Sequence, residues 1–199
     1  MKEQNKNEEN SEKQNNEKQK SIWKELMEWV WLFVIVAAIS FFIVTFVGIR
    51  TKVDGQSMMP TLENGDNLLV DKLTYRFRDP ERYEIVVFPY KYEENVYYIK
   101  RIIGLPGETV QILDGYVYID GEKLEKDYGA EVMEDAGIAA EPIELGEDEY
   151  FVLGDNRNHS SDSRVPNVGI LKREDLVGRA WVRIWPFDEM GVVAHGEKN

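Results

Sequence analysis

Cysteine is absent from the 199 residues. The chain therefore has no disulfide framework, no thiolate nucleophile and no cysteine-based zinc site. A domain exported without disulfides must rest on its core alone. Cations are outnumbered: 24 Lys and Arg face 37 Asp and Glu, for a net charge of −13. Nucleic-acid phosphates demand a basic footprint, so the balance argues against a nucleic-acid partner. Helix signals are few beyond residue 50, and there is no internal repeat. Apolar residues are not scarce. At 43% they are enough for a real core.

Residues 1–20 are almost all Lys, Glu, Asn and Gln. Without apolar periodicity they read as a disordered tail, taken to run to residue 28. Residues 29–49 form a run without charge. At about 1.5 Å per residue it would cover roughly 30 Å, the thickness of a hydrocarbon core. The apolar core of a cleaved signal peptide is shorter, about 7–15 residues, and ends in small residues. The run is therefore expected to be a membrane anchor, with Trp23, Trp29 and Trp31 in the interface belt. Lys13, Lys18, Lys20 and Lys24 precede it, whereas Arg50 and Lys52 follow. That asymmetry favours a cytoplasmic N-terminus and an extracytoplasmic domain over 50–187.

Past the run the pattern changes to period two. Strands are expected over 67–71, 83–88, 96–103, 109–113, 116–119, 149–153 and 177–185. Asp114-Gly115 and Asp120-Gly121 supply the positive φ of tight turns. Residues 122–146 read as an acidic loop or lid, 172–176 as a turn, and 188–199 as a frayed tail. The fold class is mostly β. Trp181, Trp185 and Phe187 are expected either to touch lipid or to pack in an aromatic core.

Lys100 lies in an otherwise apolar strand, on the face of Tyr98 and Ile102; Arg101 takes the other face. An exposed lysine would snorkel into water. A buried one would lose proton affinity and could serve as a base. Ser57 sits in a turn bent by Gly55 and Pro60, where a main-chain N–H could face a developing oxyanion. The loop 154–164 is densely polar; within it Asp162 and Arg164 could pair and Ser160 could orient an amine. Two other chemistries are available there. A Ser-His-Asp triad through His159 would need geometry that sequence neighbours rarely present. A metal on Asp155, His159 and Asp162 matches no zinc spacing, and Ser160 stands where an EF-hand loop needs Gly.

Ser57-Met58-Met59-Pro60-Thr61-Leu62, Lys100-Arg101-Ile102-Ile103-Gly104-Leu105-Pro106-Gly107 and Gly154-Asp155-Asn156-Arg157 with Ser160, Asp162, Ser163 and Arg164 together resemble bacterial type I signal peptidases in their compact, Gram-positive-like form. The resemblance covers residues 29–185. It implies a β-barrel or β-sheet catalytic domain behind one transmembrane helix, on the outer face of the plasma membrane. It implies Ser57 as nucleophile and Lys100 as general base, without metal or organic cofactor. Ser160 would hold the amine, Asp162 and Arg164 would support the site, and Gly154 would leave room beside the lysine. It further implies secretory preproteins as substrates, cut after small residues in Ala-X-Ala fashion. Val53, Met58, Tyr98 and Ile99 would shape the pockets, although strict alternation sets Tyr98 and Ile99 on opposite faces. Some members carry a serine where Gly55 stands, so the oxyanion site here would rely on the Ser57 N–H and a Gly55 backbone contact. The competing readings are a membrane-anchored binding module without activity and a Ser/Lys protease that cuts itself or a regulator.

Overall fold

The computed structural model describes residues 23–41 and 49–196. The tail expected over 1–28 falls largely outside them, as do residues 42–48 of the expected anchor and residues 197–199. The chain divides into two units, Met1–Thr45 and Phe46–Asn199. In the first, residues 23–41 form an α-helix. Among the described residues no helix is long and apolar enough to cross a membrane. Lys24, Glu25 and Glu28 charge the first turns of this one.

Among the described residues the second unit is built from twelve short strands. In chain order they are β1 (Ile49–Lys52), β2 (Asn67–Asp71), β3 (Ile85–Pro89), β4 (Tyr97–Gly104), β5 (Thr109–Leu113), β6 (Tyr116–Ile119), β7 (Glu122–Lys123), β8 (Ile143–Glu144), β9 (Glu149–Leu153), β10 (Leu171–Lys172), β11 (Gly178–Trp185) and β12 (Gly191–Val192). The larger sheet runs β1-β2-β11-β3-β4-β9-β10, with β12 added to β11; the smaller runs β7-β6-β5-β8. Every pairing is antiparallel. The mostly β class holds, but neither sheet closes into a barrel, because β1 and β10 remain unjoined at the two ends of the larger one.

Where the sequence signal is local, strands fall where alternation places them. Asp114 and Gly115 take φ of 50° and 78° and set the register of β5 against β6; Asp120 and Gly121, at 52° and 81°, set that of β6 against β7. Central strands β4 and β9 are buried on both faces. Ile103, Phe151 and Leu153 face a core beneath the small sheet, while Ile102, Tyr150 and Val152 face another that includes Phe88 and Leu171. A third core, with Val53, Met58, Leu62, Leu68 and Ile99, underlies the turn that carries Ser57.

Three expectations are corrected. Ile49, assigned to the end of the anchor, belongs to β1 and pairs with Val70. The stretch 122–146 is not a lid. It contributes β7 and β8 and buries Met133, Ala139 and Leu145 in the core under the small sheet. Its apolar residues follow no period, so the pattern hides them. The tail expected to fray instead pairs Val192 with Val182 and buries Val193 in the core that holds Met58. In the same tail, His195 Nδ1 accepts the Ile85 N–H at 3.0 Å.

Candidate active site

The turn 55–62 is held at both ends. Gly55 has φ of +102°, a region that favours glycine, and its N–H donates to Asn64 Oδ1 at 3.0 Å. That contact uses the donor expected to help an oxyanion. Met58 and Leu62 are buried, and the Leu62 N–H donates to the Met58 carbonyl. Between them Ser57 is tied through its own carbonyl, which accepts the Asn156 N–H at 3.1 Å. Asn156 Nδ2 also donates to the Gln56 carbonyl. The Ser57 N–H donates to no acceptor among the described residues.

Lys100 sits on β4 opposite Val86 and is only 4% exposed. Its Nζ donates to Ser57 Oγ at 2.8 Å and to the Ile99 carbonyl at 2.9 Å. The Tyr98 ring centroid lies 5.2 Å from the amine. Burial pushes the Lys100 pKa down from 10.5 to about 8, against the pull of Asp162 and Asp155. A displacement of that size costs roughly 3 kcal/mol of folding stability near neutral pH. The arrangement thus places a dry amine, easily made neutral, on a serine hydroxyl.

The loop 154–164 forms the wall behind this pair. Asp162 and Arg164 meet through two parallel bonds, Nε to Oδ1 at 2.8 Å and Nη2 to Oδ2 at 2.9 Å. Asp162 also accepts the Gly154 N–H at 3.0 Å. A Cβ on Gly154 would stand 2.2 Å from Ser160 Oγ and 2.5 Å from the Ser57 carbonyl. The glycine therefore makes room for Ser160 and the Ser57 backbone. Ser160 does not hold the amine here: its Oγ is buried without a hydrogen-bond partner among the described residues.

A cleft of about 460 Å³ opens over Ser57 and Lys100, and Val53, Met58, Tyr98 and Ile99 all line it. Tyr98 and Ile99 do pack on opposite sides, Tyr98 against Phe88 and Ile99 against the Val53–Met58 core. Both nevertheless border the cleft. His159 and Ser161 stand at its edge. No hydrogen bond joins the His159 ring to a serine or aspartate among the described residues. Asp155 accepts from Arg101 and Thr61.

That last network escaped the sequence reading. Arg101 is 1% exposed and donates from Nε and Nη2 to the two oxygens of Asp155, which also accepts from Thr61 Oγ1 at 2.5 Å. The available signal was an arginine between isoleucines, which must find a buried carboxylate.

An open β-sheet domain with a serine on a buried lysine amine is the layout of a serine-type endopeptidase. A family model described as "Signal peptidase, peptidase S26" matches residues 26–185. Among curated relatives, a probable signal peptidase I-2 of Synechocystis is 44% identical over 156 residues, covering 75% of this chain and 68% of its own. The signal peptidase I of Leptolyngbya laminosa is 41% identical over 154 residues, covering 74% and 73% respectively. That of Bacillus licheniformis is 36% identical over 172 residues, covering 83% and 91%. The chain belongs to the bacterial type I signal peptidases of the S26 peptidase family.

Proposed function

We propose that the chain removes signal peptides with Ser57 as nucleophile and Lys100 as general base. The observation that carries this is the 2.8 Å bond between a buried amine and Ser57 Oγ. Neutral Lys100 takes the hydroxyl proton as Ser57 attacks the scissile carbonyl, then passes it to the leaving amine. Lys100 next activates the water that releases the acyl group. The unengaged Ser57 N–H is the donor aimed at the developing oxyanion.

Val53, Met58, Tyr98 and Ile99 line the cleft beside Ser57, where the residues before the cut would lie, and cutting after Ala-X-Ala is the specificity proposed for it. The substrates are secretory preproteins. The apolar run that precedes β1, residues 29–48, anchors the enzyme in the plasma membrane, N-terminus inside, with the catalytic unit outside. Trp181, Trp185 and Phe187 are exposed at 37%, 48% and 71%, which supports their contact with lipid rather than an aromatic core. The test is to incubate the detergent-solubilised chain with a preprotein and map the new N-terminus. Cleavage after a small residue, lost in Ser57→Ala and Lys100→Ala, supports the reading; survival of cleavage in Lys100→Ala ends it.

A further inference from the structure

The stretch 127–138 grips the loop 154–164 along its length. Ala130 N–H donates to the Asp155 carbonyl at 2.8 Å, and Ile138 N–H to the Arg164 carbonyl at 2.9 Å. Asn158 bridges back, accepting the Glu134 N–H and donating to the Val132 carbonyl. At the centre lies Arg157, 1% exposed. Its Nη1 donates to Asp127 Oδ2 at 2.8 Å, its Nη2 to the Asp127 carbonyl, and its Nε to the Gly154 carbonyl at 3.0 Å. Gly129 flanks the guanidinium: a Cβ there would stand 2.7 Å from Arg157 Cζ.

We infer that Asp127 and Arg157 are a positioning pair that holds the 154–156 backbone against Ser57, and so keeps its hydroxyl on the Lys100 amine. The inference rests on the Ser57/Lys100 reading above. Each link is a contact. Arg157 fixes the Gly154 carbonyl, and Ala130 fixes that of Asp155. The same short segment reaches Ser57 twice. Gly154 lies against the Ser57 carbonyl, and the Asn156 N–H donates to it. Asp155 meanwhile holds Thr61, in the turn that carries the serine. Removing the Asp127 carboxylate leaves a buried cation short of an acceptor. The guanidinium must then draw in water or pull on the Gly154 carbonyl.

Such a shift reaches the chemistry in two ways. A displacement of about 1 Å in a reacting group can cost on the order of a hundredfold in rate. The carboxylates that act on Lys100, Asp162 and Asp155, ride on the same loop, each paired with its own arginine, Arg164 and Arg101. Moving them changes the pH at which the amine becomes neutral.

The test uses the full chain in detergent with a preprotein substrate. Asp127→Ala should lower kcat by about tenfold or more, with KM within about twofold, since only reacting-group geometry is disturbed. The midpoint of the pH–kcat rise should move as well. Asp127→Asn, which keeps an acceptor oxygen, should recover part of the loss. Gly129→Ala, which crowds the guanidinium from the other side, should give the same signature. If Asp127→Ala does not fold, those two variants decide by the same criteria. An unchanged kcat and pH midpoint, whatever the melting temperature does, would overturn the inference, as would an effect confined to KM. Ser57→Ala, run in parallel, separates the two ideas. Cleavage that survives Ser57→Ala sinks the Ser/Lys reading itself. Cleavage abolished by Ser57→Ala but untouched by Asp127→Ala sinks only the positioning pair.

Discussion

Arg101 and Asp155 form a doubly bonded ion pair with almost no exposed surface, Nε to Oδ1 at 2.8 Å and Nη2 to Oδ2 at 2.6 Å. The pair stands on the opposite face of β4 from Lys100, so neighbouring cations on one strand meet different fates. One is neutralised by a carboxylate; the other is left to lose its proton. Removing one partner of a buried pair strands the other charge, at about 3–5 kcal/mol. Asp155→Ala should therefore lower the urea-unfolding free energy by that order. A loss below about 1 kcal/mol, the usual worth of an exposed pair, would contradict the assigned burial.

Lys100 should make activity and stability both rise with pH, activity around pH 8 and stability between about 8 and 10.5. Activity is expected to rise through about pH 8 as the amine loses its proton. Lys100→Arg should be inactive, because a guanidinium stays charged. For stability, the folded pKa lies below the unfolded one, so folding is penalised in full below about 8 and not at all above 10.5. Lys100→Met should thus be the more stable protein at neutral pH, by up to roughly 3 kcal/mol, with the advantage shrinking as pH rises toward 10. Urea melts of both proteins across that range decide it; a pH-independent difference would refute the buried amine.

Gly154→Ala should be among the most damaging single-methyl changes in the chain. The added carbon would meet the Ser57 carbonyl at 2.5 Å, and main chain cannot step aside as a flexible side chain can. Cleavage is expected to fall by about a hundredfold or more through displacement of the serine. Preprotein cleavage within about twofold of wild type would show that the turn adapts.

His195 should make the tail acid-sensitive. β11 lies between β2 and β3 but pairs with β3 only at Gly178 and Arg179, and His195 Nδ1 accepts the Ile85 N–H of β3. Burial lowers its proton affinity, opposed by Glu84 and aided by Arg179 and Arg101. Its stabilising contribution is therefore complete above pH 6.5 and is lost as pH falls through the lower folded value. The Ile85 amide should lose hydrogen-exchange protection on acidification in the wild type. In His195→Gln, which accepts without titrating, the protection should not depend on pH; equal loss in both proteins would refute the assignment.

Some of this architecture was legible in the residues because its causes are local. Asp114-Gly115 and Asp120-Gly121 announce positive φ by residue type, 109–113 alternates, and 67–71 and 149–153 are short apolar runs bounded by polar residues. Other parts were hidden because their causes are distant. Nothing around Ile49 reveals that Val70 will pair with it, so β1 read as the end of an apolar run. Residues 122–146 read as loop because Met133, Ala139 and Leu145 are buried by partners far along the chain. In the same way the resemblance supplied Ser160, yet its hydroxyl is left unpaired, while the clamp through Arg157 and Asp127 went unseen.

Composition, charge and the order of three short segments are enough to name the chemistry, since residue identity alone decides which groups can attack, accept protons or turn sharply. Which of two adjacent cations meets Ser57, and which is cancelled by Asp155, is settled only when β3, β4 and β9 lie side by side. Proton affinity depends on solvent exclusion and neighbouring charge, and both are sums over groups that the chain brings together from far apart.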